Sequence, residues 1–232
     1  MDFISNQGKK SEIKIDSNLY RRHAIKTRFI TVGESYLDIF KEYVSPLYKK
    51  GDIISCSEKV ISLCQNRIIK RDDIEISFFA KTLAKFASKP ETGVGVGESI
   101  KMQYAINKVG LPKVIFASVM SGATKLLGKK GVFYKIVGQE VAGLDGFYGK
   151  VWKEYENIGI ELPVNPDEVC DEIKKELGIS CMIVDANDLG VEILGKSKDI
   201  CYDNKYLKRL IIDNPAGQDK ELTPFILIRK EE

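Results

Sequence analysis

The sequence predicts an α/β (mixed α+β) fold, mixed sheets with flanking helices, and three observations predict it. Apolar runs of strand length recur at residues 53–57, 179–184 and 225–228. Segments between them place apolar residues at helical spacing, as in Leu37, Phe40, Val44 and Leu47. One helix is punctuated at both ends: Asn165 stands as its N-cap, Pro166 at its first position, Asp167 and Glu168 beside the positive end of the dipole, and Gly178 closes it straight into an apolar run.

The elements follow in chain order. Residues 1–20 are polar and aperiodic and read as an N-terminal arm that frays or docks on a partner subunit, leaving 21–232 as one α/β domain. Residues 24–30 read as a strand and 34–47 as an amphipathic helix. Gly51-Asp52 marks a turn, and the strand at 53–57 runs into Glu58-Lys59-Val60-Ile61. Asp72, Asp73 and Glu75 ahead of Ile76, Phe79, Leu83 and Phe86 give a second helix with acids in its first turn. Gly93, Gly95 and Gly97 alternate before a helical stretch at 99–108, a pattern that suits either a backbone cradle for an anion or a flexible connection. Residues 113–120 read as a strand, 121–127 as a short helix or turn, and 132–137 as another strand. The capped helix then delivers the strand at 179–184 with Asp185 at its carboxyl end, and the loop 217–224 opens the last strand.

Composition narrows the function. The chain has 232 residues, 44% hydrophobic and 30% charged, with a net charge of +3, which is ordinary for a globular protein with a sizeable core. The basic pairs Lys9-Lys10, Arg21-Arg22, Lys49-Lys50 and Lys129-Lys130 are scattered, which argues against a nucleic-acid partner. Five cysteines, odd in number and without CxxC spacing, read as reduced and structural. No stretch has the apolar length of a signal peptide or a membrane span, so the expected location is the cytoplasm, with no membrane partner.

Three strand ends carry an isolated oxygen donor: Asp145, Asp185 and Gln218. Carboxylate and amide oxygens without thiol or imidazole are the ligands of magnesium or manganese, hard cations that share a nucleotide's phosphates. Taken singly, each aspartate also fits a turn residue bonding its own backbone. Lys59, directly after a strand, is placed to reach a phosphate or to act as a solvated helix-start lysine. The single histidine, His23, reads as a surface or strand residue, and with no GxSxG elbow and no Cys-His pairing a covalent hydrolase is disfavoured. Acids, a lysine and backbone donors are the parts that metal-bridged phosphoryl transfer needs.

Four segments resemble the coenzyme F-420-0:L-glutamate ligase (gamma-glutamyl ligase) family over about residues 24–229. They are Gly51-Asp52-Ile53-Ile54-Ser55-Cys56-Ser57-Glu58-Lys59-Val60-Ile61-Ser62 with Arg67 after it, Ala142-Gly143-Leu144-Asp145, Ile183-Val184-Asp185, and Gly217-Gln218-x-x-Glu221-x-x-Pro224. The resemblance implies a GTP-dependent ligase, with ATP as the other candidate nucleotide, working as an intertwined homodimer with two magnesium or manganese ions at each site and potassium as a further ion. It joins a small-molecule acid to an amino acid such as L-glutamate through an acyl phosphate. Carried over, Asp145, Asp185 and Gln218 become metal ligands, and Lys59, Asp145 and Asp185 the catalytic set. Thr27, Arg28, Phe29, Ile30, Ser57, Glu58, Lys59, Gly217, Gln218 and Glu221 become the nucleotide site. The chain departs from the family at Glu58, Leu63, Tyr148 and Ala186, where the family has serine, lysine, asparagine and threonine. Those departures define the second reading, a non-catalytic nucleotide- or metal-binding relative.

Overall fold

The computed structural model describes residues 3–87, 96–128, 131–147, 153–187, 190–217 and 221–231. The strands are β1 (Glu12–Ile15), β2 (Asn18–Ile25), β3 (Ile53–Ser57), β4 (Ile68–Lys70), β5 (Asp145–Gly146), β6 (Ile158–Ile160), β7 (Cys181–Asn187), β8 (Gly190–Lys196) and β9 (Phe225–Lys230). The helices are α1 (Tyr36–Ile39), α2 (Glu58–Cys64), α3 (Phe78–Phe86), α4 (Ser99–Val109), α5 (Leu111–Leu126), α6 (Val132–Val137), α7 (Gln139–Ala142), α8 (Pro166–Leu177) and α9 (Asn204–Leu210). The fold is mixed α/β. The chain forms two compact units, one built from residues 1–66 and 163–232, the other from 67–162.

In the first unit the strand order is β1-β2-β9-β3-β7-β8, with β3 and β7 parallel and the other neighbours antiparallel. Its central strands are continuous apolar runs because both faces are covered. Ile54, Cys56, Cys181, Ile183, Phe225 and Leu227 enter one core with residues of α1, α2 and α8, while Ile53, Met182, Val184, Ile226 and Ile228 enter another with Leu207 and Leu210 of α9. Each large side chain buried this way contributes roughly 1.5–3 kcal/mol. The helix expected at 34–47 is α1, capped by the Ser35 hydroxyl and continued by a π-helical turn over Phe40–Val44.

Residues read as a polar arm contribute the hairpin β1–β2, and β2 pairs with β9 from Tyr20↔Lys230 to Ile25↔Phe225. The first strand therefore ends at Ile25, earlier than the run at 24–30 suggested. His23 lies on it, buried, its Nδ1 accepting the Ile4 N–H at 2.9 Å.

The second unit holds the small antiparallel sheet β4-β6-β5 and helices α3 to α7 around a core that includes Ala80, Ile100, Ala105, Val114, Phe133 and Val141. Two expectations are corrected here. Residues 113–120 lie inside the helix α5, and 132–137 form the helix α6, not strands. An apolar run does not distinguish a strand from a buried helix by period alone. Here Gly110 with Pro112 in the first turn starts a helix, and burial falls on Val114 and Ala117, one turn apart. In α6 it falls on Phe133 and Val137. The acids Asp72 and Asp73 sit in a 3-10 turn ahead of α3, which begins instead at the Ser77 cap.

Candidate functional site

The pairing of β2, β9, β3 and β7 gathers distant residues at one end of the first unit's sheet. Ile25 and Cys56 both lie opposite Phe225, the first residue of β9, and Ser57 lies opposite Val184. The chain following β2 (Thr27 to Ile30), the chain following β3 (Glu58, Lys59), Asp185 on β7 and the loop leading into β9 therefore meet there. Thr27 N–H donates to Leu222 O at 2.8 Å, and Ser57 N–H to Pro224 O at 2.9 Å, so the loop is tied to both flanking strands.

That loop has its own scaffold. Arg22, 2% exposed, forks Asp213 with distances of 2.5 and 2.9 Å. Asn6 Nδ2 donates to Pro215 O, Ala216 O and Thr223 Oγ1, and Thr223 Oγ1 donates back to Ala216 O. Gly217 has φ +78°, and a Cβ there would stand 2.8 Å from Glu221 Cδ, so only glycine leaves room for the Glu221 carboxylate beside it. Asn6, Arg22, Asp213 and Thr223 were not legible as site supports, since their partners lie across the chain. The one local signal was Asn214-Pro215-Ala216-Gly217, a turn sequence in which Asn214 does adopt positive φ.

Carboxylates and cations share this sheet end: Glu58, Asp185, Glu192 and Glu221 with Lys26, Arg28 and Lys59. Glu58 is buried, its Oε1 2.9 Å from Lys59 Nζ and its Oε2 3.2 Å from Ser57 Oγ. Asp185 stands directly opposite Glu192 of β8, a like-charge cross-strand pair that is unfavourable by itself. Arg28 makes a bidentate pair with Glu34, whose carboxylate also accepts from Thr31 N–H and Oγ1. The Arg28 hydrogen bonds hold Glu34 down to about 2. Phe29 is half-buried and Ile30 buried beside them.

Asp145 belongs to the second unit. It opens β5 opposite Ile160, between two glycines that close packing requires. A Cβ on Gly143 would fall 2.6 Å from the Leu162 side chain, and one on Gly146, where φ is +90°, would fall 2.2 Å from Ile158 O.

Ten expected site residues thus lie in the first unit: Thr27, Arg28, Phe29, Ile30, Ser57, Glu58, Lys59, Asp185, Gly217 and Glu221. Asp145 lies in the second, and Gln218 lies outside the described residues, as do Tyr148, Gly93 and Gly95. Among the described residues no three His, Cys, Asp or Glu side chains are grouped to hold a metal ion. Oxygen donors are present without thiol or imidazole, which fits a hard cation by ligand type alone. Leu63, at a lysine position of the family motif, is a core residue at 3% exposure.

His23, Cys56, Cys170 and Cys181 are buried, Cys64 is partly exposed and Cys201 is exposed. Burial pushes the His23 pKa down and the Cys56 thiol well up, and Cys64 is pushed up to about 12 by burial. All five cysteines are free thiols. Among the described residues no helix is long and apolar enough to cross a membrane.

A family model described as F420-0:Gamma-glutamyl ligase matches residues 24–188, a span that contains Lys59, Asp145 and Asp185 and stops before the loop at 217–224. No curated protein matches the chain.

Proposed function

The chain belongs to the F420-0:gamma-glutamyl ligase family, and from that premise we propose that it is a nucleoside-triphosphate-dependent ligase, GTP being the expected nucleotide and ATP the other candidate. A carboxylate oxygen of a small-molecule acid attacks the γ-phosphorus, the bond to the nucleoside diphosphate breaks, and an acyl phosphate forms. The amine of an amino acid such as L-glutamate then attacks the acyl carbon, phosphate leaves, and the amine loses a proton to give the amide. The proposal includes a homodimer in the cytoplasm, with no nucleic acid or membrane partner.

The observation that carries this reading is the meeting of Thr27, Ser57, Lys59, Asp185 and the chain from Leu222 to Pro224 at one sheet end. In open sheets, ligands take the crevice beyond the strand ends. Lys59 and the Ser57 hydroxyl are the donors suited to a triphosphate, and a lysine of this kind stabilises charge on the transferring group. Glu58, Asp185, Glu192 and Glu221 oppose a bare triphosphate at this end. Magnesium or manganese, when bound, would neutralise that charge; Asp185 and Gln218 are proposed metal ligands of the first unit and Asp145 a proposed metal ligand of the second. Nucleotide binding is therefore expected to require the divalent cation.

Calorimetry with GTP and ATP, with and without magnesium or manganese, tests the reading, together with phosphate release in the presence of candidate acids and L-glutamate. Lys59→Ala should lower turnover by about 10²-fold or more, while Lys205→Ala, an exposed lysine of α9, should leave it unchanged. A wild-type protein that binds neither nucleotide with either metal would overturn the proposal. One observation favours the second reading, a non-catalytic relative: Glu58 already engages both Lys59 and Ser57. Tight metal-dependent nucleotide binding with no phosphate released across the panel would establish that reading instead.

A further inference from the structure

We infer that Lys101 is a positioning residue for Asp145, acting through one face of α4 that holds the residues flanking the β5–β6 pair; the inference rests on the catalytic role proposed for Asp145. Lys101 is 4% exposed, an unusual place for an ammonium group, which is costly to bury unless its hydrogen bonds are supplied. They are supplied by main chain: Nζ donates to Leu144 O at 2.8 Å and to Ala142 O at 3.1 Å, and it lies 5.5 Å from the centre of the Tyr134 ring. Leu144 directly precedes Asp145, and Ala142 is the last residue of α7. The ammonium thus fastens the two carbonyls on either side of Gly143, at the point where the chain turns into β5.

The same helix face holds the residue that follows the opposing strand. Tyr104 and Lys108 lie three and seven residues beyond Lys101, so the three side chains share one stripe. Asp145 pairs with Ile160, and the next residue, Glu161, is 8% exposed. Its carboxylate accepts from Tyr104 Oη at 2.8 Å and lies 2.7 Å from Lys108 Nζ and 3.0 Å from Arg67 Nη2. Burial alone would raise the Glu161 pKa, but the hydrogen bonds from Lys108 and Tyr104, with the nearby Arg67 charge, hold it below the ordinary carboxylate range. One helix therefore anchors the residue before Asp145 and the residue after its cross-strand partner. The close contacts at Gly143 and Gly146 leave the loop no slack. A packing role alone would be met by leucine or methionine at position 101, without the desolvation cost. Partners of a ligating group that are placed this way typically affect affinity or activity by about 10–100-fold when removed.

The test compares Lys101→Met and Lys101→Arg with Lys113→Met, an exposed control on α5. Two readouts are taken on the full chain: amide hydrogen exchange over residues 143–147, and the split of kcat against nucleotide KM. The inference expects Lys101→Met to speed exchange at the Phe147 amide, which donates to Ile158 O, to lower kcat by about 10–100-fold, and to raise nucleotide KM at limiting divalent cation but not at saturating cation. Lys101→Arg, which keeps the charge, should recover part of both. Should Lys101→Met not fold, Lys101→Arg is compared directly with wild type, and slower turnover with faster local exchange is required of it. Unchanged exchange in the variants overturns the anchor, and faster exchange with unchanged kcat overturns the positioning role. A wild type without nucleotide turnover would instead remove the ligase reading, leaving the exchange data to decide the anchor alone.

Discussion

Gly146→Ala is the sharpest structural test of how Asp145 is held. Gly146 has φ +90°, and the atoms a Cβ would meet are backbone: Ile158 O at 2.2 Å, Gly159 Cα at 3.0 Å and Ile158 C at 3.1 Å. No rotamer change relieves that. The left-handed backbone costs an L-residue about 1–2 kcal/mol. Separating β5 from β6 to clear the Cβ also breaks the Phe147 N–H to Ile158 O bond and leaves polar groups unpaired, about 1–3 kcal/mol more. The sum is about 2–5 kcal/mol, or roughly 5–15 °C for a chain of this size. Urea and thermal unfolding followed by circular dichroism measure it. Gly122→Ala is the control: Gly122 sits in α5 with open space around it and no strained φ, so alanine should stabilise by about 1 kcal/mol. If Gly146→Ala unfolds within about 1 kcal/mol of wild type, the account of this loop is wrong.

Other predictions follow from the same contacts. Asp185→Asn should abolish metal-dependent turnover while leaving the fold intact; phosphate release at the wild-type rate would contradict this. Asp52→Ala should cost about 3–5 kcal/mol by urea unfolding, since Asp52, 2% exposed, pairs with the Arg229 fork at 2.5 and 2.7 Å and its loss leaves that charge uncompensated. The folded pKa of His23 is depressed, so its contribution to stability is complete above the unfolded value of about 6.5 and is lost as pH falls below it. Protonation also removes the acceptor for Ile4 N–H, so as pH falls through the depressed folded value the exchange protection factor of the Ala24 amide, which donates to Ile4 O, should drop after correction for the intrinsic pH dependence of exchange. His23→Gln should flatten that dependence.

Where local chemistry decides, the sequence was readable. β3, β7 and β9 are short apolar runs with turn signals around them, and α8 ends at Gly178 in the left-handed conformation its composition suggested. At its other end Asn165 does not cap through its side chain, which donates to Glu168 instead. Where tertiary burial decides, it was not. Val114-Ile115-Phe116 has strand composition, but Gly110 and Pro112 start a helix and two buried positions one turn apart keep it one. The hairpin β1–β2 looked like a polar arm because it is an edge whose stability comes from β9, some two hundred residues away in the chain. The site was legible as separate pieces only. Nothing local in Thr27, Ser57 or Asp185 announces that the β2–β9–β3–β7 pairing gathers them. Arg28, expected among the nucleotide contacts, is engaged by Glu34, a partner only six residues on.

The central claim is that a triphosphate is held at the end of the first unit's sheet. A crystal structure of the protein with a non-hydrolysable GTP analogue and magnesium tests it most directly. The account predicts phosphate oxygens within hydrogen-bonding distance of Lys59 Nζ and Ser57, with Glu58 displaced from Lys59. An analogue bound elsewhere, with the Glu58–Lys59 pair intact, would contradict it.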